Sequence, residues 1–119
     1  MARYFNDREF ICKCGQCTGL PRNGMDKRLL EVLDKIRERI GQPIYVTSGY
    51  RCPDWNEKVG GVRNSFHSQG VACDIIYDGI DVNYLAQVAE ECGADGIGKY
   101  YSQFFVHVDT RGYNARWEG

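Results

Sequence analysis

The sequence predicts a single α+β domain with a mainly antiparallel sheet flanked by helices. Three observations lead there. At 119 residues the chain has room for one ordinary domain. Its 43% hydrophobic content is enough to bury a core. Helical and strand-like segments are mixed along it without the regular alternation that a doubly wound parallel sheet requires.

The elements follow in order. From Asp26 to Ile40, Leu29, Leu30, Val32, Leu33, Ile36 and Ile40 recur at helical spacing among charged neighbours, and Gly41 stops the helix. Ile44-Tyr45-Val46-Thr47-Ser48, between Pro43 and Gly49, reads as a strand. Pro53 suits the first turn of a short helix reaching about Val59, ended by Gly60-Gly61. A loop from Val62 to Gly70 leads to a second strand, Val71 to Tyr77. Asp81 caps a helix running to about Cys92, with Leu85, Val88, Ala89 and Cys92 inward and Gly93 as its terminator. Gly96-Ile97-Gly98 looks like a turn, and Phe104 to Asp109 alternates as a strand. No periodicity is legible after Arg111.

Composition narrows the function classes. A net charge of -1 removes the positive field that nonspecific nucleic-acid binding uses. The longest apolar runs fall far short of the roughly 20 residues that cross a bilayer. The first residues lack the apolar stretch of a secretory signal, so the expectation is a chain made in the cytoplasm. A monomer is expected.

Six cysteines invite a choice between disulfides, metal and simple burial. Without a signal for an oxidising compartment, reduced thiols are expected. Cys14 and Cys17 could hold a metal with Cys12, but no second such pair completes a tetrahedral set, which favours a tight loop over residues 10–24 packed on the domain. A structural or redox domain centred on Cys14 and Cys17 is a rival, weakened by the lack of a redox motif around them.

The chemistry concentrates elsewhere. His67 lies in the polar loop Ser65-Phe66-His67-Ser68-Gln69-Gly70, and Asp74 interrupts an apolar strand, where an unpaired carboxylate is costly. Strand alternation puts His107 and Asp109 on one face, Val106 and Val108 on the other. Two imidazoles and a carboxylate can hold a catalytic zinc ion with its fourth position open, although each residue alone could equally be a core or capping group.

Ser48-Gly49-Tyr50-Arg51, Asn56, Val59-Gly60-Gly61, Ser65-Phe66-His67, Gly70, Ala72, Asp74 and Phe105-Val106-His107-Val108-Asp109, taken together, resemble the zinc D-Ala-D-Ala carboxypeptidase family. That family of bacterial cell-wall peptidases includes VanY-type carboxypeptidases, phage endolysins and murein endopeptidases, and shares its fold with the hedgehog signalling domain. The resemblance spans residues 25–109, the motif-bearing core extending to about residue 111, and implies a zinc peptidase cutting peptidoglycan stem peptides or crosslinks. It makes His67, Asp74 and His107 the zinc ligands, and Arg51 a residue for the substrate carboxylate or developing oxyanion, with Ser65 and Gln69 also binding substrate. Where many members place a glutamate or a histidine just before the last ligand, this chain has Phe104 and Phe105. Asp109 is then the nearest candidate for the general base, with orientation of a ligand histidine as its alternative role. That departure keeps a noncatalytic zinc module of the same fold as the rival. By analogy the chain is a phage lysis protein, acting on the wall after release or delivery.

Overall fold

The computed structural model describes residues 4–17, 19–21, 23–61 and 65–119. Five strands form one sheet in the order β1-β2-β4-β3-β5: β1 (Tyr45–Ser48), β2 (Ala72–Ile76), β3 (Gly96–Tyr100), β4 (Phe105–Asp109) and β5 (Ala115–Glu118). Neighbouring pairs are antiparallel except β3 and β5, which run parallel. The three α-helices are α1 (Lys27–Ile40), α2 (Pro53–Lys58) and α3 (Val82–Glu91). The α+β architecture with a mainly antiparallel sheet is therefore present, in a single domain.

Helix α1 begins where Asp26 accepts the Leu29 amide at 3.2 Å and ends at Gly41. Asp81 caps α3 in the same way, through the Tyr84 amide at 3.1 Å. Their apolar stripes, Leu29, Leu33 and Ile36 on α1 and Leu85, Val88 and Ala89 on α3, bury against Cys73, Ile75, Ile97, Val106 and Val108 of the sheet. This one-sided helical layer accounts for the core. It also explains why Cys73, next to Asp74, is wholly buried while the aspartate points the other way.

Four parts differ from the sequence-based expectation. Gly96-Ile97-Gly98 is not a turn but the start of β3, paired with Asp109, Val108 and His107 of β4. A Cβ on Gly96 would lie 2.2 Å from Asp109 Oδ2, and one on Gly98 would lie 2.5 Å from the Trp117 ring. At both positions the side chain of the paired residue on the neighbouring strand fills the space a Cβ would need. The tail forms β5, which takes strand form beside β3 without a strong hydrophobic alternation of its own. Asp7–Phe10 makes a short 3-10 helix with a reciprocal cap between Asn6 and Glu9. Of the expected loop from Val62, residues 62–64 lie outside the described ones; Phe66–Gln69 forms a second 3-10 helix.

Candidate metal centre

The face of the sheet away from the helices carries the polar groups. In the β2–β4 register Asp74 stands directly opposite His107, so these two are neighbours by strand pairing. His67 comes from the 3-10 helix, which Ser65 caps by accepting the His67 N–H at its Oγ at 3.2 Å. Tyr50's neighbours hold it there: Arg51 N donates to the His67 carbonyl at 3.3 Å, and the Gly49 carbonyl lies 2.9 Å from His67 Nδ1. Sequence positions far apart thus meet in one small cluster.

Its geometry is narrow. His67 Nε2 and His107 Nδ1 are 3.2 Å apart, and Asp74 Oδ1 lies 3.3 Å from the first and 3.2 Å from the second. A tetrahedral ion with bonds of about 2.0–2.1 Å needs ligand atoms about 3.3–3.4 Å apart. The three donors match that spacing.

The outer hydrogen bonds fix which ring atoms face inward. A carbonyl only accepts, so His67 Nδ1 carries the proton given to Gly49, leaving the Nε2 lone pair toward the cluster. His107 Nε2 lies 2.7 Å from Asp109 Oδ2 and donates to it, which turns the Nδ1 lone pair inward. Asp74 Oδ1 is buried and lacks a hydrogen-bond partner of acceptable geometry. Burial works to raise the Asp74 pKa, yet the His107 and His67 imidazoles outweigh it and hold the carboxyl at about 2. Two lone pairs and an anionic oxygen converging at this distance repel each other unless a cation joins them. The donor set of two imidazoles and one carboxylate suits zinc.

Asp109 lies behind the His107 ring. It is fully buried on the outer side of the His107 ring, with the cluster on the inner side. Arg111 grips it from Nε at 3.0 and 3.1 Å and from Nη2 at 2.7 Å, and the Gly96 amide donates at 3.0 Å. Burial opposes its ionisation, but His107 and Arg111 together keep its carboxyl well below the ordinary range. All of its close partners are donors that hold it as a carboxylate, and the His107 ring separates it from the cluster. Asp109 meets the ring nitrogen that points away from the donors, the placement that its alternative role, orientation of a ligand histidine, requires.

Arg111, Trp117 and the glycines of β3 had not been picked out from sequence. The Arg111 guanidinium lies 4.2 Å from the Phe66 ring centre and 5.1 Å from that of Trp117, and the Trp117 ring sits 5.0 Å from His107. Extending the alternation of His107 and Asp109 by two residues would have put Arg111 on the same face. Nothing in the tail marks Trp117, which arrives only through the parallel pairing of β5.

Arg51 is half-buried beside this centre. Its Nε is buried without a partner, no carboxylate among the described residues pairs with the guanidinium, and burial lowers its pKa. Its Nη1 comes close to Gly61, where an added Cβ would lie 3.1 Å away. A cleft of about 770 Å³ opens there, lined by Asn56, Glu57, Gly61, Ser65, Ser68 and Gln69. Ser65 and Gln69 are thus cleft residues, although the Ser65 hydroxyl is also engaged in capping.

A fold with one helix-covered sheet face and one polar face bearing two histidines and an aspartate defines a class of metal-binding domains. A family model described as Peptidase M15 matches residues 3–109, and the chain belongs to that family. It is 31% identical over 93 residues to the peptidoglycan L,D-endopeptidase MepK of Escherichia coli (strain K12), covering 72% of this chain and 51% of the relative. The probable peptidoglycan L,D-endopeptidase MepK of Haemophilus influenzae is 31% identical over 103 residues, 80% of this chain and 55% of that protein. The chain spans about half the length of these curated relatives. Among the described residues no helix is long and apolar enough to cross a membrane.

Proposed function

We propose that this protein is a zinc-dependent peptidase that hydrolyses amide bonds in peptidoglycan peptides, as an endopeptidase on stem peptides or crosslinks. The observation that carries the reading is the convergence of His67 Nε2, Asp74 Oδ1 and His107 Nδ1 at 3.2–3.3 Å, the spacing of three donors around one tetrahedral ion. Family membership and the relatives named as L,D-endopeptidases support the substrate class and favour internal cleavage over trimming of a terminal D-Ala.

His67, Asp74 and His107 hold the metal. Zinc bound there supplies Lewis acidity toward the scissile carbonyl and activates water. The rest is the work of the chain. Gly49 and Asp109 fix the two imidazole tautomers, and Arg111 keeps Asp109 ionised and in position. Arg51, lacking an internal carboxylate, offers its fork to a carboxylate of the peptide or to the charge that develops on its carbonyl. The cleft beside it, with Ser65 and Gln69, receives the peptide strand.

The test is digestion of purified bacterial walls followed by mass spectrometry of the released muropeptides. Crosslinked dimers should disappear, a chelator should stop this, and zinc should restore it. Loss of terminal D-Ala alone would make the enzyme a carboxypeptidase. No change in any muropeptide with zinc bound would leave a noncatalytic metal module and overturn the reading.

A further inference from the structure

The cysteines lie outside the centre described above. Read from sequence, Cys12, Cys14 and Cys17 are one ligand short of a tetrahedral site. The fold supplies the fourth. Cys52, at the N-terminal cap of α2, places its Sγ 3.8 Å from Cys14 Sγ, and the sulfurs of Cys12, Cys14, Cys17 and Cys52 all lie within 4.8 Å of one another.

The spacing is that of a metal site and not of a disulfide. All six cysteines are free thiols, and 3.8 Å is nearly twice the S–S bond of about 2.05 Å. Four sulfurs at about 2.3 Å from a tetrahedral ion stand about 3.8 Å apart.

The backbone is arranged for sulfur anions. Cys14 Sγ accepts the Gln16 and Cys17 amides, each at 3.3 Å, and Cys17 Sγ accepts the Gly19 amide at 3.3 Å. Cys12 Sγ accepts the Cys52 amide at 3.4 Å, and Cys52 Sγ the Trp55 amide at 3.5 Å. Every sulfur of the cluster therefore receives at least one N–H from the backbone. Thiolates gathered so closely repel one another, and a shared cation removes that repulsion.

We propose that Cys12, Cys14, Cys17 and Cys52 form a second metal centre, a tetrathiolate zinc site. With four protein ligands it has no open position, so its role is structural. It clamps the N-terminal loop to the start of α2 at Cys52, next to Arg51. The same junction is held by the Tyr50 amide donating to the Phe10 carbonyl at 2.9 Å, and a Cβ on Gly49 would lie 2.6 Å from Phe10 Cα. Because Gly49 and Arg51 in turn hold His67, the clamp braces the backbone that positions one side of the other centre. The proposal does not depend on the peptidase reading.

Elemental analysis of the chain purified under reducing conditions and without chelator should find close to two zinc ions per chain. Cys14→Ser/Cys52→Ser should leave close to one, and His67→Ala/His107→Ala should also leave close to one. Loaded with cobalt, the latter variant should keep the intense thiolate-to-cobalt charge-transfer bands of a tetrathiolate, and the cysteine variant should lose them. Thiol titration of the unsubstituted chain should show four cysteines released to reagent by chelation. Cobalt-loaded unsubstituted protein without the tetrathiolate bands, or four cysteines equally reactive before and after chelation, would overturn the proposal. Those two measurements decide the matter even if the cysteine variant does not fold. Two ions bound without any peptidase activity would sink the functional reading and leave the cysteine site intact.

Discussion

The two metal-ligand clusters of this small protein are built in opposite ways. In one, Asp74 and His107 sit on adjacent strands of the sheet, and buried partners orient the donors. In the other, three of four sulfurs come from an irregular loop, and all four are satisfied by nearby backbone amides. The first has three donors and an adjoining cleft; the second has four donors. Ligand count and support suit the first cluster to the open, catalytic metal site proposed for it and the second to a closed, structural one.

The sharpest way to break this contrast is Asp74→Asn. It should empty the sheet-borne centre and lower kcat/KM for wall digestion by about a thousandfold or more, roughly 4 kcal/mol, with little change in the cobalt–thiolate bands. Cys14→Ser/Cys52→Ser should do the converse. Losing a native-state ligand worth about 3–4 kcal/mol should drop the melting temperature by roughly 10–20 °C, as scanning calorimetry would show. If both variants cost the same activity and the same stability, the division of labour is wrong.

Smaller effects refine it. Arg51→Ala should keep both metals and lose about 100-fold in kcat/KM, about 2.7 kcal/mol, if the guanidinium meets substrate charge. Asp109→Ala should weaken metal at the sheet-borne centre by about 10–100-fold in a chelator competition, because the His107 tautomer is no longer held. A base would instead lose turnover at unchanged metal affinity. Gly98→Ala, whose new methyl meets Trp117, should destabilise by about 1–2 kcal/mol in denaturant unfolding while the cysteine site stays loaded.

Much of this was legible in the chain. The helical stripe from Leu29 to Ile40, the cap Asp81, and the alternation of Val106 to Asp109 are local patterns, and local patterns report local structure. His67, Asp74 and His107 could be named because each is an expensive or rare residue in its setting. The choice between the two roles named for Asp109 could not be made, since period-two alternation gives the face but not the partner across a ring. The glycines of β3 misled because a Gly-Ile-Gly run has the composition of a turn.

The sequence by itself determined the three α-helices, strands β1, β2 and β4, their buried faces and the residue types able to bind metal, because these depend on short-range periodicity and on the chemistry of single side chains. Tertiary structure alone decided that Cys52 joins Cys12, Cys14 and Cys17, that Arg111 and Gly96 hold Asp109, and that Trp117 covers Gly98. Each of these is a contact between segments distant along the chain. Such contacts are fixed by strand order and by what space the opposite face leaves, and no window of neighbouring residues contains that information.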